Sequence, residues 1–112
     1  MIYFEGGTSK QQALAKQLYA FCTQALSIQK PIDIDLRIGH VEHAQAWTDH
    51  EGSGKFYIDI EQNLTTDQFI VAFCHEMIHA VQYLREKPIS EKEAYRLEDE
   101  LAVQFKLVSD YG

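Results

Sequence analysis

No apolar run in this chain approaches the roughly 20 residues that a helix needs to span a bilayer, which excludes a helical membrane protein. The start, Met1-Ile2-Tyr3-Phe4-Glu5, lacks a basic region leading into an apolar segment, so no secretory leader is expected. Cysteine is scarce. Cys22 and Cys74 lie far apart in apolar helical patterns, which indicates buried, reduced thiols and no disulfide framework. These features together predict a cytoplasmic protein. Positive charge is also short: 10 Lys and Arg stand against 17 Asp and Glu, a formal charge of −7, so no nucleic-acid partner is expected. The two prolines, Pro31 and Pro88, punctuate the chain, and no linker, internal repeat or low-complexity segment divides it. What remains is 112 residues with 46% hydrophobic content, which suits a single domain spanning 1–112 around one core.

Met1 to Phe4 is compatible with a short strand or a loose end, and Gly6-Gly7 breaks it. Thr8 or Ser9 can cap a first helix. In it Ala13, Leu14, Leu18, Phe21, Cys22, Ala25 and Leu26 recur at three- and four-residue spacing, an amphipathic packing pattern. After Lys30-Pro31, Ile32 to Ile38 alternates apolar and polar residues strictly, as a strand with one buried face does. A less regular run, Ala44 to Asp49, leads into the turn His50-Glu51-Gly52-Ser53-Gly54, and Phe56 to Ile60 resumes the alternation. Strand, strand, turn, strand predicts a small, mainly antiparallel sheet of three to four strands. Thr65 or Thr66 then caps a helix running to about Leu84 or Glu86. Lys87-Pro88 ends it, and Ser90-Glu91-Lys92-Glu93 has capping-box spacing for a last helix over 91–108, with Asp110-Tyr111-Gly112 as a frayed end. The fold class is therefore α+β.

One stretch stands apart: Phe73-Cys74-His75-Glu76-Met77-Ile78-His79. Positions i and i+4 share a helix face, so His75 and His79 can present two imidazole nitrogens to one ion. Glu76 is rotated about 100° from His75, where it can hold an ion-bound water without being a ligand. Chance produces such a pattern in a chain of this composition about two times in a hundred. The surroundings weigh further against accident. Phe69, Ile70, Val71, Phe73, Cys74, Met77, Ile78, Ala80, Val81 and Leu84 project in almost every direction, leaving only the sector of Gln68, His75, His79 and Gln82 polar. A carboxylate buried in such a helix requires a partner or a task. By contrast His40, His43 and His50 fall near strand ends or turns, where solvated loop histidines are the ordinary expectation, unless one of them lines a cleft.

His75-Glu76-x-x-His79 resembles the signature of the zincin metallopeptidases. The order of helix, strands, motif helix and last helix is similar to the minimal zincin core, in particular the gluzincin type. The strand Phe56 to Ile60, the phrase His75 to Gln82 and the later Glu91-Lys92-Glu93-Ala94-Tyr95 look like small phage-type and SprT-like metallopeptidases. The glycine and extra histidine of the metzincin type do not follow the motif, nor is there the four-cysteine zinc ribbon of some SprT-like proteins.

The resemblance implies a Zn2+ cofactor held by His75, His79 and a glutamate of the last helix. It also implies hydrolysis of a protein or peptide substrate through a metal-activated water, with Glu76 as general base. Glu91 begins Glu-x-x-Ala, as gluzincin ligands do, whereas Glu98, at 19 residues beyond His79, fits a common gluzincin separation; the two share a face of the last helix. Glu91 is placed first and Glu98 is the alternative. Tyr95 is the first candidate for an oxyanion donor, with Tyr83, His40 and His43 behind it, and the Ala44 to Thr48 run is a candidate edge along which a peptide could lie as an added strand. The rival expectation is a zinc-binding regulatory or interaction module that keeps the fold and cleaves nothing.

Overall fold

The computed structural model describes residues 1–111, so the last position of the expected frayed end, Gly112, lies outside the described residues. The chain runs β1 (Ile2–Gly6), α1 (Ser9–Ala25), β2 (Asp33–Gly39), β3 (Ala46–Gly52), β4 (Lys55–Glu61), α2 (Thr66–Leu84) and α3 (Glu91–Val108), an α+β architecture. No described helix is long and apolar enough to cross a membrane.

Local chemistry sets the helix starts. Thr8 and Thr65 each accept a hydrogen bond from the backbone N–H three residues on, and Gln11 and Gln68 reach back to the cap, completing two capping boxes. At α3 only half of the expected box forms: Ser90 accepts from the Glu93 N–H, but the Glu93 carboxylate accepts instead from the Gln82 amide at 3.0 Å. Nor is the chain end loose up to Tyr111, whose ring stacks on Phe105 with centroids 5.9 Å apart.

The sheet order is β1-β2-β4-β3. It corrects the expectation of a mainly antiparallel sheet: β1–β2 and β2–β4 are parallel, and only the β3–β4 hairpin is antiparallel. The reasons are physical. A helix, α1, joins β1 to β2 and returns the chain in the same direction. Of the last two strands, β4 carries Phe56, Ile58 and Ile60, all buried, and takes the interior place, while the polar β3 is left at the edge. β3 also extends further than the sequence suggests, through His50 to Gly52, where an irregularity in its pairing with β4 precedes the turn.

One face of the sheet, bearing Ile34, Leu36, Ile38, Phe56, Ile58 and Ile60, joins Leu14, Leu18 and Cys22 of α1 and Phe69, Phe73 and Met77 of α2 in a single hydrophobic cluster. The α2 helix is buried from Phe69 to Gln82 at nearly every position, packed against α1, α3, β3 and β4. Both cysteines are buried and free, as expected.

Gly6 ends β1 with φ +76°, and a Cβ there would collide with the backbone carbonyl oxygen of Ile38 on the paired strand. Neither the left-handed backbone nor a β2 carbonyl can yield cheaply. Gly6→Ala is expected to destabilise the fold by about 2 kcal/mol or more, read from urea denaturation.

Candidate metal centre

His75 and His79 lie one turn apart on α2, both buried, with their Nε2 atoms 3.1 Å from each other. Glu91, the first residue of α3, reaches over them. One carboxylate oxygen stands 3.5 Å from His75 Nε2 and the other contacts His79 Nε2. The ligand atoms of these three side chains lie within 4.8 Å of one another.

The far sides of the two rings fix their tautomer. His75 Nδ1 is 2.7 Å from the Glu98 carboxylate, an acceptor, so it donates there. His79 Nδ1 is 2.9 Å from Gln82 Oε1. That amide cannot be turned round: Gln82 Oε1 also accepts from the Ser90 N–H at 3.2 Å, while its Nε2 donates to the Ser90 carbonyl at 3.1 Å and to Glu93. Each neutral imidazole therefore carries its proton on Nδ1 and aims a lone pair from Nε2. In that tautomer two lone pairs and a carboxylate converge, and a divalent cation satisfies all three at once. Two nitrogens bound tetrahedrally to zinc stand about 3.3 Å apart, close to the 3.1 Å separation here, and two histidines with one carboxylate leave a fourth position for water.

Glu76 stays out of this cluster. It is buried, and its Oε1 accepts from the Thr48 hydroxyl of β3 at 2.8 Å. Burial pushes its carboxyl above the usual range; the Thr48 hydrogen bond and the two imidazoles partly offset that push, and Glu91 adds to it.

The cluster floors a cleft of about 470 Å³ between β3, the 40–45 loop, α2 and α3. Among the candidate oxyanion donors, Tyr95, Tyr83 and His43 line it. Tyr95 is 62% exposed, its ring 4.8 Å from that of His75. Tyr83 packs on the His50 ring at 3.9 Å, and His40 is turned to Glu61 on the sheet side. Glu98, the alternative third ligand, is instead a partner of His75 Nδ1: two turns beyond Glu91, it meets the back of the ring rather than its Nε2. Thr48 and the bonds of Gln82 to α3 were not anticipated. The hint for Thr48 was a hydroxyl at an inward-facing strand position. For Gln82 it was an amide three residues after His79 in the polar sector.

Comparison with protein-family models, with curated proteins and with solved structures found no match.

Gln82 is 1% exposed, and replacing it by Leu would leave the Ser90 N–H and His79 Nδ1 without a partner beneath the α2–α3 turn, the Ser90 carbonyl keeping only its bond from the Ala94 N–H. Gln82→Leu is expected to cost the metal-free protein about 2–3 kcal/mol in chemical denaturation despite the added apolar surface.

Proposed function

We propose that this chain is a zinc-dependent metallopeptidase of gluzincin type, with His75, His79 and Glu91 as metal ligands and Glu76 as general base. The observation that carries the reading is the convergence of two imidazole lone pairs and a carboxylate beside a buried, hydrogen-bonded glutamate at the floor of an open cleft.

When bound, zinc supplies a water whose pKa falls to roughly 7 and a Lewis acid for the scissile carbonyl. The protein does the rest. Glu98 and Gln82 hold the two rings in the tautomer that keeps Nε2 free. Thr48 occupies one oxygen of Glu76 and leaves the other to take a proton from the attacking water and deliver it to the leaving amine. Tyr95 stands at the cleft wall as donor to the oxyanion. β3 is an edge strand, and its Ala46 to Thr48 segment lines the cleft, so an extended peptide can pair with its free backbone groups as an added strand.

Protein purified without added zinc is expected to carry one equivalent, and a chelator should lower its melting temperature. Competition titrations should show Glu91→Ala losing more than about 100-fold in zinc affinity and Glu98→Ala about 10- to 100-fold, as for loss of a partner behind a ligand. A larger loss in the Glu98 variant would reverse the two roles, and no loss in either would remove the gluzincin assignment.

Glu76→Gln should retain zinc and fold while abolishing cleavage of casein or an unstructured peptide library. Undiminished turnover in that variant eliminates the mechanism. Stoichiometric zinc in a wild type that cleaves nothing identifies a zinc-binding module instead.

A further inference from the structure

The sheet has a second face, opposite the helices and the cleft, and its side chains form ordered rows. Register places Tyr3, Asp35, Tyr57 and Asp49 side by side across β1, β2, β4 and β3, with Glu5, Arg37, Asp59 and Trp47 as the next row. Tyr3 and Trp47 are 47% and 45% exposed, and with Glu5 and Asp49 they line a shallow depression of about 500 Å³.

This face already binds one ammonium group of its own chain. Lys55 Nζ lies 3.1 Å from Asp35, 5.3 Å from the Tyr3 ring centroid and 5.7 Å from that of Tyr57, a carboxylate and two aromatic faces around one cation. Arg37 is likewise held by two bonds to Asp59, at 2.7 and 3.1 Å. The Glu51 carboxylate, with Asp35 and Asp49 adding to it, pushes the Tyr57 phenol up to about 12. Glu5 and Asp49 have no basic side chain within ion-pairing distance among the described residues, although each neighbours an exposed aromatic ring. The chemistry that seats Lys55 is thus repeated here without a cation.

We propose that this open face docks a basic polypeptide segment, whose Lys and Arg side chains lie over Tyr3 and Trp47 and pair with Glu5 and Asp49. Charge decides among occupants. A second copy of this chain, a nucleic acid or an anionic lipid surface would each bring further negative charge to a protein of formal charge −7. The inference does not depend on hydrolysis in the cleft, since it uses none of the metal-ligating or catalytic residues assigned there; Trp47 alone borders both sides of β3.

Trp47 is the single tryptophan and borders both this face and the cleft, so its fluorescence reports binding and the amide shifts assign it to one side or the other. The full chain is titrated with a 12-residue peptide of alternating Arg and Ala, with a Glu–Ala peptide of the same length and with spermine, and amide shifts are mapped by NMR. The Arg–Ala peptide should change Trp47 emission saturably and shift amides of β1, β2, β3 and β4, and the Glu–Ala peptide should do neither. Glu5→Gln combined with Asp49→Asn should weaken binding about fivefold, the scale for two exposed ion pairs, and Tyr3→Ala about threefold. Asp99→Asn combined with Glu100→Gln removes the same charge from α3 and should change affinity by less than about twofold. Equal weakening by both double variants overturns the proposal in favour of diffuse attraction. Shifts confined to the cleft around Glu91 overturn it too, as does spermine binding as tightly as the peptide, which would indicate a small-polycation site.

Discussion

The side-chain amide of Gln82, sealed beneath the turn between α2 and α3, holds three things at once: the ring of His79, the backbone of Ser90 and the carboxylate of Glu93. Ser90 caps α3 and Glu91 is its first residue, so this amide sets where the third converging side chain begins. Glu98 does the equivalent for His75 two turns further on. The site is thereby built from one helix that supplies both rings and a second helix that supplies both Glu91 and the orientation of His75. Neither helix can shift along the other without breaking hydrogen bonds to buried groups, which holds the converging side chains of His75, His79 and Glu91 in place.

Much of this was legible one residue at a time. The apolar pattern around His75 and His79 announced a buried helix, Thr65 or Thr66 marked its start, with Thr65 the cap observed, and Ser90 that of α3, because capping and periodicity are local properties. Glu91 was singled out by the alanine three positions on; Ala94 is indeed fully buried in the core. What stayed hidden was long-range. Alternation in Ile32 to Ile38 and in Phe56 to Ile60 identifies strands but not their neighbours, so the insertion of β4 between β2 and β3, and with it the parallel pairing, could not be read. Thr48 meets Glu76 only because that order puts β3 at the edge above α2. The Glu93 carboxylate was assigned to a local cap and goes instead to Gln82, a case of a tertiary partner outcompeting a local one.

The two sides of the sheet serve different physics. Toward the helices, apolar side chains fill the core and a few polar groups are each satisfied, and no buried side-chain polar atom in the described residues lacks a partner. On the other side, charge and aromatic rings face water in rows. The β3 strand is common to both: Thr48 turns inward to Glu76, and its neighbour Trp47 turns outward.

Strand periodicity makes that shared role a vulnerability. A slip of β3 by one residue along β4 would carry the indole into the cleft and withdraw the hydroxyl from Glu76, exchanging the two faces in one step. The irregularity between His50 and Gly52 interrupts the ladder at the hairpin end, where one extra residue fits only one alignment. Combined with the contact of the His50 ring on Tyr83 of α2, it acts as a ratchet pawl: the edge strand remains open to pair with another chain, yet it cannot creep along its own.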